Sequence, residues 1–244
     1  MRRNVPATLI PYGVDNWSPD RITLSRWNED GVEIAADFPF ALVDRSGGPL
    51  RLNNCGLDLP AAGAFEAEAP LAGRLAAHLA RLSGQWNLMG ARFVQRYFDF
   101  LAHRIATHRG QLEARLAPFD GLFRAEDFLY SAPVPLPRAF LYAPEPTPGA
   151  RGGAADDLVQ VDFAFWLGDA MRAVLPAQST LPPAATRRRK ERLAAAAIAV
   201  VTYGPADLAD PQFGLFHRLL GPELSAFWEG ETLPCAPGTS GGAL

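Results

Sequence analysis

The sequence predicts an α+β (α/β) fold, a small mixed sheet flanked by helices, and three stretches predict it. In residues 158–208 the apolar runs LVQVDFAFWL, AMRAVLP and AIAVVTY are joined first by a Gly168-Asp169 turn and then by a helix-like segment, Ala184 to Ala197. That pattern reads as hairpin, crossover helix and closing strand, with the last strand beside the first pair in one sheet. Residues 8–60 are β-rich, and residues 66–117 carry leucines and aromatics at helical spacing. The expected organisation is a β-rich part at 1–65, a helical segment leading into the mixed sheet at 66–232, and a tail at 233–244.

Taken in order, TLIPY, RITLSRW, VEIAADFPFALV and PLRLNN are strand candidates cut by the turn signals Asn28-Glu29-Asp30-Gly31 and Ser46-Gly47-Gly48-Pro49. RITLSRW and VEIAADF around Asp30-Gly31 form the clearest hairpin, because this dipeptide supplies the positive φ of a tight turn. So few strands must lean on the helices that follow to bury a face. Leu71, Leu75, Leu79 and Leu82 predict one helix. Phe93, Tyr97, Phe100, Leu101 and Ile105 predict a second, from Ala91 to Leu116, which Gly110 divides. Three prolines force extended chain around VPLPRAFLY, and RAFLYA reads as the first strand of the mixed sheet. PEPTPGARGGAADD reads as a loop, PQFGLFHRLLGPELSAFW as one or two short closing helices, and the chain from Cys235 to Leu244 as a disordered tail.

Bulk properties bound the functional classes. A chain of 244 residues with 48% apolar content can bury a substantial core, and a formal charge of −3 leaves any polyanion site to a local patch. The cysteines, Cys55 and Cys235, have no C-x-x-C partner, which points to a reducing, cytoplasmic compartment. The apolar stretch in MRRNVPATLIPYG is too short for a signal peptide, and no run approaches the ~18 residues of a membrane span. His103 and His108 are five apart, off the spacing that places two imidazoles on one helical face, and His78 and His217 stand alone. There is no Walker-type loop or GxGxxG pattern.

Two features carry chemistry. Asp162 sits inside an apolar strand between Val161 and Phe163, and a carboxylate placed there needs a partner, since a buried unpaired charge is costly. Its ordinary reading is a strand acid held by backbone amides or by a nearby arginine. Arg187, Arg188, Arg189, Lys190 and Arg192 set five positive charges against Glu191 at the start of the crossover helix. Such a run can contact phosphates, or it can be a charged outer face that docks a protein.

The acid in the first strand, the basic helix start in RRRKERL and the closing strand AIAVVTY resemble the PD-(D/E)XK nuclease superfamily, in its RecB-like and very-short-patch-repair-like forms. That resemblance implies an acid at Asp162 and, on the next strand, a Glu-x-Lys that would complete a divalent-metal site for phosphodiester cleavage. Leu175-Pro176-Ala177 stands there instead, so Asp162 is vestigial and Leu175 and Ala177 are degenerate positions. The implied protein is a catalytically inactive partner subunit of a nucleic-acid-handling complex, with prokaryotic defence as the setting. No cofactor is expected, nor a membrane partner. A protein partner is expected, with nucleic-acid contact open through the basic helix. Two alternatives stand beside it. One is a metal-dependent nuclease with a rearranged site, in which Lys190 or Glu191 on the helix, or Gln178 in place of Glu, serves with Asp162 and Mg or Mn. The other is a purely structural interaction subunit. Glu113, the candidate acid on the preceding helix, reads more simply as solvated.

Overall fold

A computed structural model describes residues 8–15, 21–28, 31–43, 48–53, 55, 70–85, 87–119, 121–145, 157–168, 170–178 and 180–221. The fold is α+β. Its centre is a four-stranded mixed sheet of β5 (Leu136–Tyr142), β6 (Leu158–Trp166), β7 (Met171–Pro176) and β8 (Ala199–Tyr203), in that spatial order. β6 is antiparallel to both β5 and β7, and β8 runs parallel to β7. A parallel neighbour needs a crossover connection, and α4 (Pro183–Ala195) supplies it.

The N-terminal strands form two separate pairs: β1 (Thr8–Pro11) with β4 (Phe40–Val43), and β2 (Ile22–Asn28) with β3 (Gly31–Ala36). The Asn28–Gly31 pair closes the expected hairpin, whereas VEIAADFPFALV is two strands with a break at residues 37–39. Pro39 accounts for the break, because proline cannot donate to a ladder. PLRLNN is no strand either. It makes isolated bridges, Pro49 to Leu167 and Arg51 to Pro133, with Leu50 exchanging backbone bonds with Trp166 and Val134.

The helices α1 (Leu71–Leu82) and α2 (Leu88–Thr107) arise where the leucine and aromatic spacing places them. α2 ends at Thr107, its hydroxyl folded back onto the His103 carbonyl, so the break falls at His108 and Gly110 lies inside α3 (Arg109–Leu116). α5 (Pro205–Ala209) and α6 (Gly214–Leu220) close the core, and Leu215, Phe216 and Leu219 are buried. The Gly168-Asp169 turn is described at Gly168, whose φ is +102°. The 146–156 loop, residues 222–234 and the tail to Leu244 lie outside the described residues.

Alternation along β6 divides the molecule. Phe163 and Phe165 face α2, where Phe93 stacks on Phe163 at 4.3 Å between centroids and meets Tyr203 at 5.2 Å edge-on. Gln160 and Asp162 occupy the alternate positions and are only partly covered. α4 ends with Ala197 in the left-handed region, φ +58°, where the Ile198 N–H returns to the Leu193 carbonyl at 2.9 Å and both side chains are buried. Glycine is the usual residue at this position of a Schellman ending. Ala197→Gly is therefore expected to stabilise the chain by about 0.5–1 kcal/mol, read from the urea midpoint at constant slope.

Candidate functional site

The half-covered stretch of β6 opens into a cleft of about 570 Å³ lined by Asp15, by Ser83, Gly84, Gln85 and Asn87 of the α1–α2 corner, and by Arg138, Gln160, Asp162, Leu181 and Arg189. The corner is tightly built. Asn87 caps α2, its side-chain oxygen accepting from the Gly90 N–H at 2.8 Å while its amide donates to the Ser83 carbonyl. Gly90 is required there, because a Cβ would lie 2.6 Å from the Asn87 amide nitrogen and 2.9 Å from the Ser83 hydroxyl.

Asp162 is the more covered of the two carboxylates in this cleft, the other being Asp15. Tyr203 at the end of β8 donates its hydroxyl to Oδ2 at 2.9 Å, and the positive charge of Arg189 acts on the same group. Burial pushes the Asp162 pKa above the usual carboxylate range, against the opposing pull of the Tyr203 hydrogen bond and of Arg189. Burial likewise lowers Arg189 and raises Tyr203. The expected strand acid held by an arginine is thus present, with a tyrosine that the sequence did not single out.

The basic run does not form one surface. At about 100° per residue, Arg189 and Arg192 fall on the face of α4 turned to the sheet, with buried Leu193. Arg189 donates to the Gln160 carbonyl, and Arg192, 14% exposed, donates to the Ala143 carbonyl at 2.7 Å and pairs with Glu145. Arg187, Arg188 and Lys190 remain outside, with Arg188, 68% exposed, also on Glu145 and Arg187 facing Glu191. Five cations offered to one partner is therefore corrected to three. Lys190 and Glu191 are exposed and do not line the cleft, so the relocated-residue alternative loses both of them there, while Arg189 occupies the cleft.

On β7, the last ladder pair with β6 is Phe163–Val174, which brings Leu175 alongside Asp162 one step on. Leu175 is buried, Ala177 is exposed and bonded through its N–H to the Tyr203 carbonyl, and Gln178 is exposed outside the cleft. Glu113 is exposed on α3 and pairs with Arg109. Among the described residues no three His, Cys, Asp or Glu side chains gather as a metal set. Mg or Mn prefers several oxygen ligands. Leucine and alanine offer none, and one Asp162 oxygen already accepts from Tyr203 beside a guanidinium. The residues do not fit a divalent cation.

Arg138 was not legible beforehand. The pairs Pro137–Phe163 and Ala139–Val161 leave it opposite Asp162 on β5, and its φ of +50° is the left-handed region, rare for an arginine within a strand and worth about 1–3 kcal/mol of strain. Its guanidinium lies in the cleft, 18% exposed, paired with Asp15.

No helix among the described residues is long and apolar enough to cross a membrane. Comparison of the chain with protein-family profiles, curated proteins and solved structures finds no match.

A raised carboxyl pKa stabilises the fold fully below the ordinary aspartate value of about 4 and loses that contribution as pH rises through the folded value. The stability of Asp162→Asn relative to the parent should therefore shift in the variant's favour as pH climbs from about 4 toward neutrality, in urea melts of both proteins. A flat or opposite trend would exclude a raised pKa. Tyr203→Phe, which removes the opposing hydrogen bond, should push the Asp162 carboxyl resonance to titrate higher still in NMR.

Proposed function

We propose that the chain is a nuclease-fold protein without nuclease chemistry, serving as a partner subunit in a nucleic-acid-handling complex. The observation that carries this reading is the juxtaposition of Asp162 on β6 with the end of β7, where Leu175 and Ala177 stand in the places that the PD-(D/E)XK resemblance assigns to an acid and a lysine. Support also comes from the order of elements, since β7, a helix with a basic start and a parallel β8 follow the acid-bearing strand as that resemblance requires. Cleavage would need a metal-held or base-activated water. Asp162 accepts from Tyr203 within reach of the Arg189 charge, and neither a leucine nor an alanine side chain can ligate or polarise. The outer face of α4, with Arg187, Arg188 and Lys190, is the surface we assign to the partner.

Purified chain incubated with single- and double-stranded DNA and RNA plus Mg²⁺ or Mn²⁺ is expected to leave every substrate intact. Cleavage that disappears in Asp162→Ala would overturn the reading in favour of a rearranged site. Charge reversal at Arg187, Arg188 and Lys190 should release a co-purifying partner while leaving the melting temperature within a degree or two, because these side chains lie outside the core.

A further inference from the structure

Two guanidinium groups, those of Arg138 and Arg189, line one cleft. Arg138 is held there by a strained backbone. Its partner Asp15 is 86% exposed while the arginine itself is 18% exposed. A carboxylate so open to water is a weak and easily exchanged counter-ion. The backbone beneath it is anchored, since Gly13 donates to the Pro137 carbonyl at 2.7 Å and the Gln160 amide donates to the Val14 carbonyl at 3.1 Å. The Asp15 side chain can therefore swing aside without moving the chain. Arg189 comes from α4 and spends one donor on the Gln160 carbonyl, out of the five that a guanidinium carries.

Three of the other polar lining groups are committed, and Gln85 is exposed at the rim. The Ser83 hydroxyl donates to the Ala80 carbonyl, Asn87 caps α2, and Gln160 holds Val14. Asp162 is the one lining group besides Asp15 that opposes an anion, and Tyr203 and Arg189 already engage it. A volume of about 570 Å³ admits far more than a lone ion and suits a nucleotide-sized group.

We propose that this cleft binds a phosphomonoester, the terminal phosphate of a free nucleotide or of a nucleic-acid strand, through Arg138 and Arg189, and that the Asp15 carboxylate is the placeholder it displaces. Phosphate oxygens match the planar fork of arginine as a carboxylate does, with a second charge to offer. The inference rests on the two arginines and Asp15 and holds whether or not the chain cuts phosphodiesters, so the cleavage assay and the binding assay fail separately.

The test is calorimetric titration of the full chain with inorganic phosphate, adenosine 5′-monophosphate, adenosine, and a short single strand with and without a 5′-phosphate. Binding is expected only for probes with a free or terminal phosphate, not for adenosine or for the strand that carries internal phosphodiesters alone. Preference for the nucleotide over the strand identifies a free nucleotide, and the reverse identifies a strand end. Arg138→Gly removes the guanidinium while suiting the left-handed backbone, so it should fold at least as well and bind about tenfold or more weakly. Asp15→Asn should bind severalfold more tightly than the parent. The proposal is overturned if neither the parent nor Asp15→Asn binds a phosphate probe, if Arg138→Gly binds like the parent, if Asp15→Asn binds no tighter, or if adenosine or the unphosphorylated strand binds as tightly as its phosphorylated counterpart.

Discussion

The stacking of Phe93 on Phe163 is the contact from which the rest of the molecule takes its position. It fixes α2 against one face of β6 and, through the edge-on contact of Phe93 with Tyr203, fixes the end of β8 as well. Phe216 and Tyr97 extend the cluster to α6 and to the rest of α2. With these aromatics filling one side of the sheet, alternation leaves Gln160 and Asp162 on the other. The Tyr203 ring belongs to the core while its hydroxyl reaches Asp162. The hydrogen bond on Asp162 is thus as rigid as the packing behind it, which is how a carboxylate against an apolar sheet keeps a fixed partner.

The cleft draws on parts of the chain far apart in sequence: Asp15, the α1–α2 corner, β5, β6 and α4. Its charges come as two unlike pairs. Asp162 and Arg189 are both half-buried, and each perturbs the other's titration. Arg138 and Asp15 combine a mostly covered cation with a mostly exposed anion. In the first pair, removing either member would leave an unbalanced charge away from water, which costs far more than the pair is worth. In the second, water can take over the acid's role. The strain at Arg138 belongs in this comparison, because its left-handed backbone sits opposite Asp162 within an otherwise regular ladder.

How much of this could be read from the residues alone differs by element. The mixed sheet was legible because each of its strands is an apolar run bounded by Gly or Pro, and because a helix between β7 and β8 leaves a parallel pairing as the natural closure. The α+β class follows. Asp162 was legible for the same local reason, as an acid with apolar neighbours on both sides. Charge counting alone makes the basic run one surface because it ignores the turn of the helix, whereas the spacing of Arg189, Arg192 and Leu193 places all three on one face. Pro39 inside VEIAADFPFALV is the residue that signals the break there. Arg138 and Tyr203 could have been suspected only as polar groups within or at the end of apolar strands. Their meeting with Asp162 depends on register, which no local pattern supplies.

Register also decides what the cleft can do. Opposite Asp162 in the ladder on one side is an arginine and alongside it on the other is a leucine, and neither supplies the further oxygens that a metal site would need. Each acid in the cleft is matched by a guanidinium, and any ligand must therefore enter by exchange for one of them. A cation at Asp162 would have to displace the half-buried Arg189 and leave its charge unbalanced. An anion has only to displace Asp15, whose carboxylate is already in water. The asymmetry in exposure between the two acids, more than the formal balance of charge, makes the cleft receptive to anions.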